Sequence, residues 1–280
     1  MIQAVLQCFM RPAYVAGSIG VLITVTVVAI ALLAPMLIGS PNSQIYTERL
    51  EGPSYRHFFG TDHLGRDQLR SIVDGARRSL LVGFAVAIVS GAIGGVLGLA
   101  SGYLGGWIDL VTQRLIDSMM ALPLLVLALA IVTVVGPSAI AVTISLGVAF
   151  SPLPARVART GAVSIRAEGY VQAARSIGAD SRSILIRHVI RNAAGPFSIV
   201  VAAQVGTAIL SEASLSFLGL AGTGPSLGTL LGGEVQFYMH TAPWLIIFPG
   251  LTLGAIVLGV NLMTDGLVSA INPSVQRFSI

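Results

Sequence analysis

Lysine is absent from this chain of 280 residues, and all sixteen basic residues are arginine. A Walker A loop requires a lysine, because its ammonium group neutralises the phosphates of the nucleotide. The chain therefore has no such loop, and if ATP powers its activity, another chain hydrolyses the ATP. Cysteine occurs once, at Cys8, which excludes an internal disulfide.

Charged side chains are also scarce, at 10% of the residues, whereas hydrophobic residues make up 54% and the mean hydropathy is +0.86. So few polar side chains cannot cover the surface of a soluble protein. The composition predicts an integral membrane protein that contacts lipid and binds no nucleic acid. Ser-His-Asp, paired-carboxylate and HExxH arrangements are missing as well, so we predict a non-catalytic chain.

Long uncharged runs indicate how often the chain crosses the membrane. A helix needs about 20 residues to span roughly 30 Å of hydrocarbon. We predict an all-α, polytopic protein with six transmembrane helices, and the alternatives are five or seven. The six segments are 13–38, 79–102, 109–135, 138–153, 196–218 and 243–269. The third and fourth come from one uncharged run that Gly136 and Pro137 divide.

The first apolar segment follows Arg11, as the hydrophobic part of a secretory signal peptide would. It is longer than such a part and has no convincing small-residue cleavage site. We therefore interpret residues 13–38 as a retained helix, with the signal peptide as the alternative.

Residues 156–195, here called the Arg-rich segment, carry seven arginines against Glu168 and Asp180. The local net charge of +5 exceeds the +4 of the whole chain. By the positive-inside rule this segment lies in the cytoplasm, and an even number of spans places both termini there too. Residues 39–78, with six arginines and five acidic residues, are nearly neutral and are predicted to face outward, their second half as a charged helix leading into the second span.

Several short motifs resemble those of a known transporter family. They are FGTD from Phe59, LGRD from Leu64, GARRSL from Gly75, MALP from Met120, LSEASLSFLGL from Leu210, FPGLTL from Phe248 and NLMTDGL from Asn261. In this order they resemble the C-type permease of the dipeptide, oligopeptide and nickel importers of the ATP-binding cassette (ABC) class. The resemblance implies a type I importer permease fold, with a core of five shared helices and one additional N-terminal helix.

The same resemblance implies an organisation and a set of partners. Residues 1–75 would form the first helix and the external loop, 76–270 the permease domain, and 271–280 a cytoplasmic tail. The expected partners are a related B-type permease, two ABC ATPase subunits or domains and an external substrate-binding protein. ATP and Mg would bind to the ATPases, with no cofactor in this chain, in the bacterial inner membrane. The expected substrates are di- or oligopeptides, and the alternative is nickel or another small solute.

The Arg-rich segment would then couple transport to the ATPase. Its pattern predicts two short helices joined by a turn near residues 178–181. Helical spacing would put four small or apolar residues on one face of the first helix, as a knob that enters a cleft of the ATPase. These are Ala173, Ala174, Ile177 and Gly178. The resemblance adds Tyr170, Arg175, Ala179 and Asp180 to the expected contact.

The arginines of this segment allow two interpretations. Arg156, Arg159 and Arg166 could hold the segment against anionic lipid headgroups. In the other interpretation, a second group of arginines pairs with acidic residues of the ATPase. That group consists of Arg175, Arg182 and Arg187.

Ionisable residues within spans are costly and are candidates for function. Glu212 lies within the fifth predicted span, beside Ser211, Ser214 and Ser216. Either Glu212 lines the translocation pathway with Ser211 and Ser214, or the three serines satisfy its carboxylate within the helix packing. We expect Asp117 to pair with Arg114, three residues earlier. A secondary carrier is the alternative from another class, but it would need intramembrane ion sites and broken helices in two related repeats.

Overall fold

The computed structural model describes residues 12–38, 48–222 and 224–271. Within these ranges the regular structure is helical, apart from an isolated bridge between Thr61 and Asp67. The helices are α1 (Pro12–Ile38), α2 (Gln68–Leu104), α3 (Gly106–Met120), α4 (Leu124–Val135), α5 (Ala139–Phe150), α6 (Pro152–Arg166), α7 (Gly169–Ser176), α8 (Ser181–Ile184), α9 (Arg191–Phe217), α10 (Leu227–Leu231) and α11 (Trp244–Ile271). A π-helical turn, Leu185–Ile190, joins α8 to α9, and a 3₁₀ helix, Gly233–Tyr238, follows α10. The all-α prediction is confirmed.

Three helical stretches in the described residues are long and apolar enough to cross a membrane. They are Gln68–Leu104, Ser181–Phe217 and Trp244–Ser269. Two pairs of shorter helices, α3 with α4 and α5 with α6, raise the count to five if each bent pair is one span. The described apolar part of α1, Ala16–Ala31, is shorter. The chain is therefore a polytopic membrane protein, and each of the six predicted segments is helical.

The boundaries differ from the prediction where prolines interrupt the helices. The predicted span 109–135 is bent by 96° between α3 and α4. Pro123 lies at this bend; it has no backbone N–H and disfavours the helical conformation of the residue before it. Its carbonyl accepts from Val126 and Leu127, so Pro123 is the residue immediately before α4, in the N-cap position. A bend of 43° separates α5 from α6, which begins at Pro152.

Contacts between residues divide the chain into two units. The first groups the described parts of Met1–Phe84, Val132–Val142 and Val205–Ile280. In this unit α1 packs along α11. Residues 48–67 pack against the start of α11: Phe59 stacks on Phe248 with the ring centroids 4.1 Å apart, and the Trp244 indole donates to the Thr61 carbonyl at 3.2 Å. The loop before α2 is thus held to the last long helix.

The second unit comprises Ala85–Ile131 and Thr143–Gln204. Here α2 packs closely against α6. A Cβ atom on Gly94 would lie 2.7 Å from the carbonyl oxygen of Ser151, so only glycine permits this approach. The small residue at this part of α2 thus allows a close helix crossing. Buried hydrogen bonds also link α2, α9 and α5. The Ser90 hydroxyl donates to Oε1 of Gln204, and Nε2 of Gln204 donates to the Phe150 carbonyl.

Candidate functional site

The Arg-rich segment folds over a small apolar cluster of the second unit. Its buried members come from the end of α2, from α6, from α7 and from the stretch that leads into α9. They are Tyr103, Ala162, Val171, Ile184 and Val189. Because apolar side chains from several helices meet here, the segment is a packed structure rather than an open loop. The first predicted short helix is α7, whereas the second is not separate, because α8 continues through the π-helical turn into α9 as one helical stretch, Ser181–Phe217.

The tip of the segment is the turn between α7 and α8. The helix α7 ends in a Schellman motif, in which the Ala179 amide donates to the Ala174 carbonyl and the Gly178 amide to the Arg175 carbonyl, both at 3.0 Å. Gly178 has a φ of +84°, a left-handed conformation that side chains with a Cβ rarely adopt. The turn itself therefore favours glycine at position 178, whatever this residue contacts.

The predicted knob is exposed except at one position. Ile177 is 86% exposed, and Ala173 and Gly178 are exposed too. Ala174 differs, because it packs against the apolar cluster beneath the segment. It lies three residues after Val171, on the same face of α7, and Val171 is fully buried. Of the four residues predicted to share the outward face, Ala174 is thus the one that is half-buried and packs inward, and its contact with an ATPase stays a prediction.

Asp180 begins α8. Its carboxylate accepts a hydrogen bond from the Arg182 amide at 3.2 Å, as expected of an N-cap residue. Ala179 is half-buried and packs against the apolar cluster. These two residues shape the tip from within the chain.

Tyr170 lies at the start of α7, at the end of this helix that is away from the tip. Its ring lies 5.6 Å from that of His188, and its hydroxyl accepts from the Asn192 amide at 3.2 Å. Asn192 also donates to the His188 carbonyl at 2.8 Å. Tyr170 thus links α7 to the first residues of α9, while 46% of it remains exposed.

Two arginines of α6 form ion pairs with α3. Arg159 donates through Nε and Nη2 to the two carboxylate oxygens of Asp109, at 2.6 and 2.7 Å. Ser101 donates to the same carboxylate at 2.7 Å. Arg156 donates to Asp117 at 2.7 Å, so the structure pairs Asp117 with Arg156 rather than with the expected Arg114. The two pairs join residues 39 and 50 positions apart, a separation that helical spacing in the sequence does not reveal.

The third arginine of α6, Arg166, donates to the carbonyl of Tyr103 at 2.9 Å. The three arginines that were considered for lipid contact therefore all have partners within the chain. Arg175 on α7 lies over the ring of Tyr103, with its guanidinium carbon 5.7 Å from the centroid. Tyr103 was not among the residues predicted for the site, since a tyrosine at the end of an apolar helix has no distinguishing pattern.

Glu212 is buried in α9, with 1% of its surface exposed. Ser216, one turn later, donates to its Oε1 at 2.5 Å. Within the described residues its Oε2 has no hydrogen-bond partner. Ser214 donates to the Leu210 carbonyl at 2.9 Å, and Ser211 is half-buried. The serine that contacts the carboxylate is thus Ser216, which lies on the same face of α9.

A second charged cluster lies in the loop before α2. The two ring nitrogens of His57 lie 2.9 Å from Asp67 and 3.3 Å from Glu48. The hydrogen bond to Asp67, aided by the charges of both carboxylates, raises the pKa of His57 above its ordinary value. No partner for His57 was apparent from the sequence. No group of three or more His, Cys, Asp or Glu side chains in the described residues is arranged to hold a metal ion.

Together, the apolar helices define a polytopic membrane protein in which the Arg-rich segment presents an exposed tip. Residues 94–277 match the family described as the inner membrane component of binding-protein-dependent transport systems. The chain belongs to this family, the permease subunits of ABC importers.

Relatives align with nearly the whole chain. A dipeptide transport system permease protein of Alkalihalophilus pseudofirmus is 38% identical over 92% of this chain and 86% of its own length. A probable D,D-dipeptide transport system permease protein of Escherichia coli is 35% identical, covering 90% and 87%. A glutathione transport system permease protein of Pectobacterium atrosepticum is also 35% identical, covering 91% and 86%.

A solved structure supports the fold. The crystal structure of an amino acid ABC transporter with histidines matches with a TM-score of 0.55 and 20% identity, over 72% of this chain and 93% of the other. At this identity the likeness shows the fold and not the substrate.

Proposed function

We propose that the chain forms half of the translocation pathway of an importer for di- or oligopeptides, with a related B-type permease forming the other half. The single observation that carries the substrate class is the set of relatives. Those named for dipeptide, D,D-dipeptide and glutathione transport are 35 to 38% identical over 90% or more of this chain. Glutathione is itself a tripeptide, so the three names share one chemistry.

The exposed tip of the Arg-rich segment is the proposed contact with an ATPase subunit. Ile177, which is 86% exposed, and Ala173 offer apolar surface beside Arg175 that an ATPase subunit would bury. Tyr170, Gly178, Ala179 and Asp180 hold the tip in place or border it. Because this chain has no lysine for a nucleotide loop, ATP and Mg would bind to two separate ATPase subunits.

The orientation follows from charge. The net charge of +5 in residues 156–195 supports a cytoplasmic tip, with both termini on the same side of the bacterial inner membrane. The loop before α2, which contains His57, would then lie outside and face the substrate-binding protein. The proposed parts of the chain are the first helix with the external loop (1–75), the permease domain (76–270) and a cytoplasmic tail (271–280). The hydrogen bond from Ser216 supports a packing role for Glu212, and Ser211 and Ser214 remain the pathway candidates beside it.

Uptake in cells tests the substrate. A strain without the gene for this chain should lose uptake of a labelled dipeptide, and the restored gene should recover it. Excess unlabelled di- or tripeptide should compete, and nickel should not. Competition by nickel alone would replace the peptide by a metal ion as the substrate.

A further inference from the structure

Tyr103 lies in the last turn of α2, where this long apolar helix ends, and only 7% of it is exposed. The residues Gly105 and Gly106 have φ values of +70° and +61°, so the chain turns away directly after the helix. Tyr103 is therefore the last large buried side chain of α2. It belongs to the apolar cluster on which the Arg-rich segment is folded.

Three elements of the Arg-rich segment contact Tyr103 through different atoms. Its hydroxyl donates to the carbonyl of Ser181, the first residue of α8, at 3.0 Å. Its carbonyl accepts from Arg166 at the end of α6, at 2.9 Å. Its ring lies under the guanidinium of Arg175 on α7, at 5.7 Å. In the second unit, α6, α7 and α8 are thus all fixed to one residue of α2.

Such an arrangement has a mechanical consequence. Packed interiors deform little, so a displacement of the tip carries the residues beneath it along as a body. The tip turn joins α7 to α8, and both are fixed to Tyr103, one through the ring and one through the hydroxyl. Movement of the turn therefore acts on the end of α2, a helix of 37 residues that is long enough to cross the membrane.

We propose that Tyr103 is the positioning residue that transmits movement of the tip to α2. The proposal rests on the proposed function, since it requires that an ATPase moves the tip. The hydroxyl is the group to test, because it makes the only side-chain hydrogen bond from α2 to α8 that the structure gives in the described residues. The ring alone would keep the cluster packed without fixing the start of α8.

Tyr103→Phe tests this role, because it removes the hydroxyl and keeps the ring. The assembled complex, with its second permease, ATPases and binding protein, is reconstituted in vesicles, and the number of peptides imported per ATP hydrolysed is measured. We expect normal amounts of the chain and of co-purified ATPase, with the transport ratio lowered about threefold or more, as the loss of one hydrogen bond allows. Tyr55→Phe is the matched control, since Tyr55 is 99% exposed in the loop before α2.

Three results are decisive. An unchanged ratio in Tyr103→Phe would overturn the inference and leave the proposed function intact. Transport and ATP hydrolysis that fall in parallel with the amount of protein would also overturn it, because the hydroxyl would then serve only stability. If the wild-type complex itself shows no ATP-driven uptake, the proposed function fails, and the inference fails with it.

Discussion

Arg159 and Asp109 are joined by two parallel hydrogen bonds, from Nε at 2.6 Å and from Nη2 at 2.7 Å. They lie on α6 and α3, which are separated by two other helices in the chain. A bidentate pair of this kind fixes orientation as well as distance. Together with the hydrogen bond from Arg166 to Tyr103, it holds α6, the helix that contains the first residues of the Arg-rich segment, in a defined position within the second unit.

The bidentate geometry predicts a measurable coupling between these two side chains. In a double-mutant cycle with Asp109→Asn and Arg159→Gln, the coupling free energy should be about 1 to 3 kcal/mol, because both groups are charged and only partly exposed. The quantity to measure is the free energy of unfolding of the purified chain in mixed micelles.

The pair of Arg156 with Asp117 is the internal control. Its side chains are 46% and 52% exposed, and it makes a single contact at 2.7 Å. Exposed pairs contribute about 0 to 1 kcal/mol, so the coupling should be clearly smaller than for Asp109 and Arg159. Equal couplings for the two pairs would contradict the orienting role of Arg159.

Gly178 offers a test of the proposed ATPase contact. Asparagine and aspartate tolerate its left-handed conformation better than most residues, and a Cβ atom at this position would meet no other atom of the described residues within 4 Å. Gly178→Asp and Gly178→Asn should therefore both insert normally in the membrane. If the tip is packed against an ATPase, both variants should lose co-purified ATPase, with aspartate the worse, because an unpaired buried charge costs about 3 to 5 kcal/mol.

The asparagine variant separates the effect of volume from the effect of charge. Normal ATPase binding and transport in Gly178→Asn, with loss in Gly178→Asp, would mean that the contact excludes a negative charge but has room for a side chain. Normal transport in both variants would leave Gly178 with a role in the turn alone and would remove it from the proposed contact.

The cluster of His57 with Asp67 and Glu48 predicts a pH dependence of the loop before α2. The pKa of His57 is raised in the folded loop, so its ion pairs stabilise the loop fully below the ordinary value of 6.5. This stabilisation is lost as the pH rises through the raised pKa. Hydrogen exchange of the Thr61 amide, corrected for its intrinsic rate, should therefore become faster as the pH increases, in comparison with amides in loops that have no titrating side chains.

Substitution of the histidine provides the check. His57→Gln should remove this pH dependence, whereas His240→Gln, at an exposed position, should leave it unchanged. A pH dependence that persists in His57→Gln would assign the effect to another group.

Hydropathy and charge predicted the membrane character, the helical segments and the first short helix of the Arg-rich segment, α7. They did not predict the bend of 96° between α3 and α4. The proline at the bend was visible, but residues 118–135 carry no charge, so a scan for uncharged runs treats them as part of one span. The bend arises because Pro123 has no backbone N–H and restricts the residue before it. An average of hydropathy values does not include this property.

The contacts that shape the candidate site were harder to predict, because they join distant parts of the chain. Tyr103 and Ser181 are 78 positions apart, and Arg159 and Asp109 are 50 apart. Ala174 was assigned to the outward face because a continuous helix was assumed through Gly178. The choice between the two faces of α7 depends on what lies beneath it, and that is a property of the packed structure.

The orientation can be tested with single cysteines after Cys8 is replaced. Ser54 and Ser181 are both exposed, and the charge difference between their segments predicts that they lie on opposite sides of the membrane. In intact cells an impermeant thiol reagent should label a cysteine at position 54 and should not label one at position 181 until the membrane is opened. Labelling at position 181 in intact cells would reverse the proposed topology.

The source of energy is tested most directly by uptake into reconstituted vesicles. The complex contains this chain, a second permease, the ATPase subunits and a binding protein loaded with labelled peptide. We predict that peptide enters only when ATP is hydrolysed, and that the purified chain alone hydrolyses none, since it has no lysine for a nucleotide loop. Uptake driven by a proton or sodium gradient without nucleotide would contradict the account and would make the protein a secondary carrier.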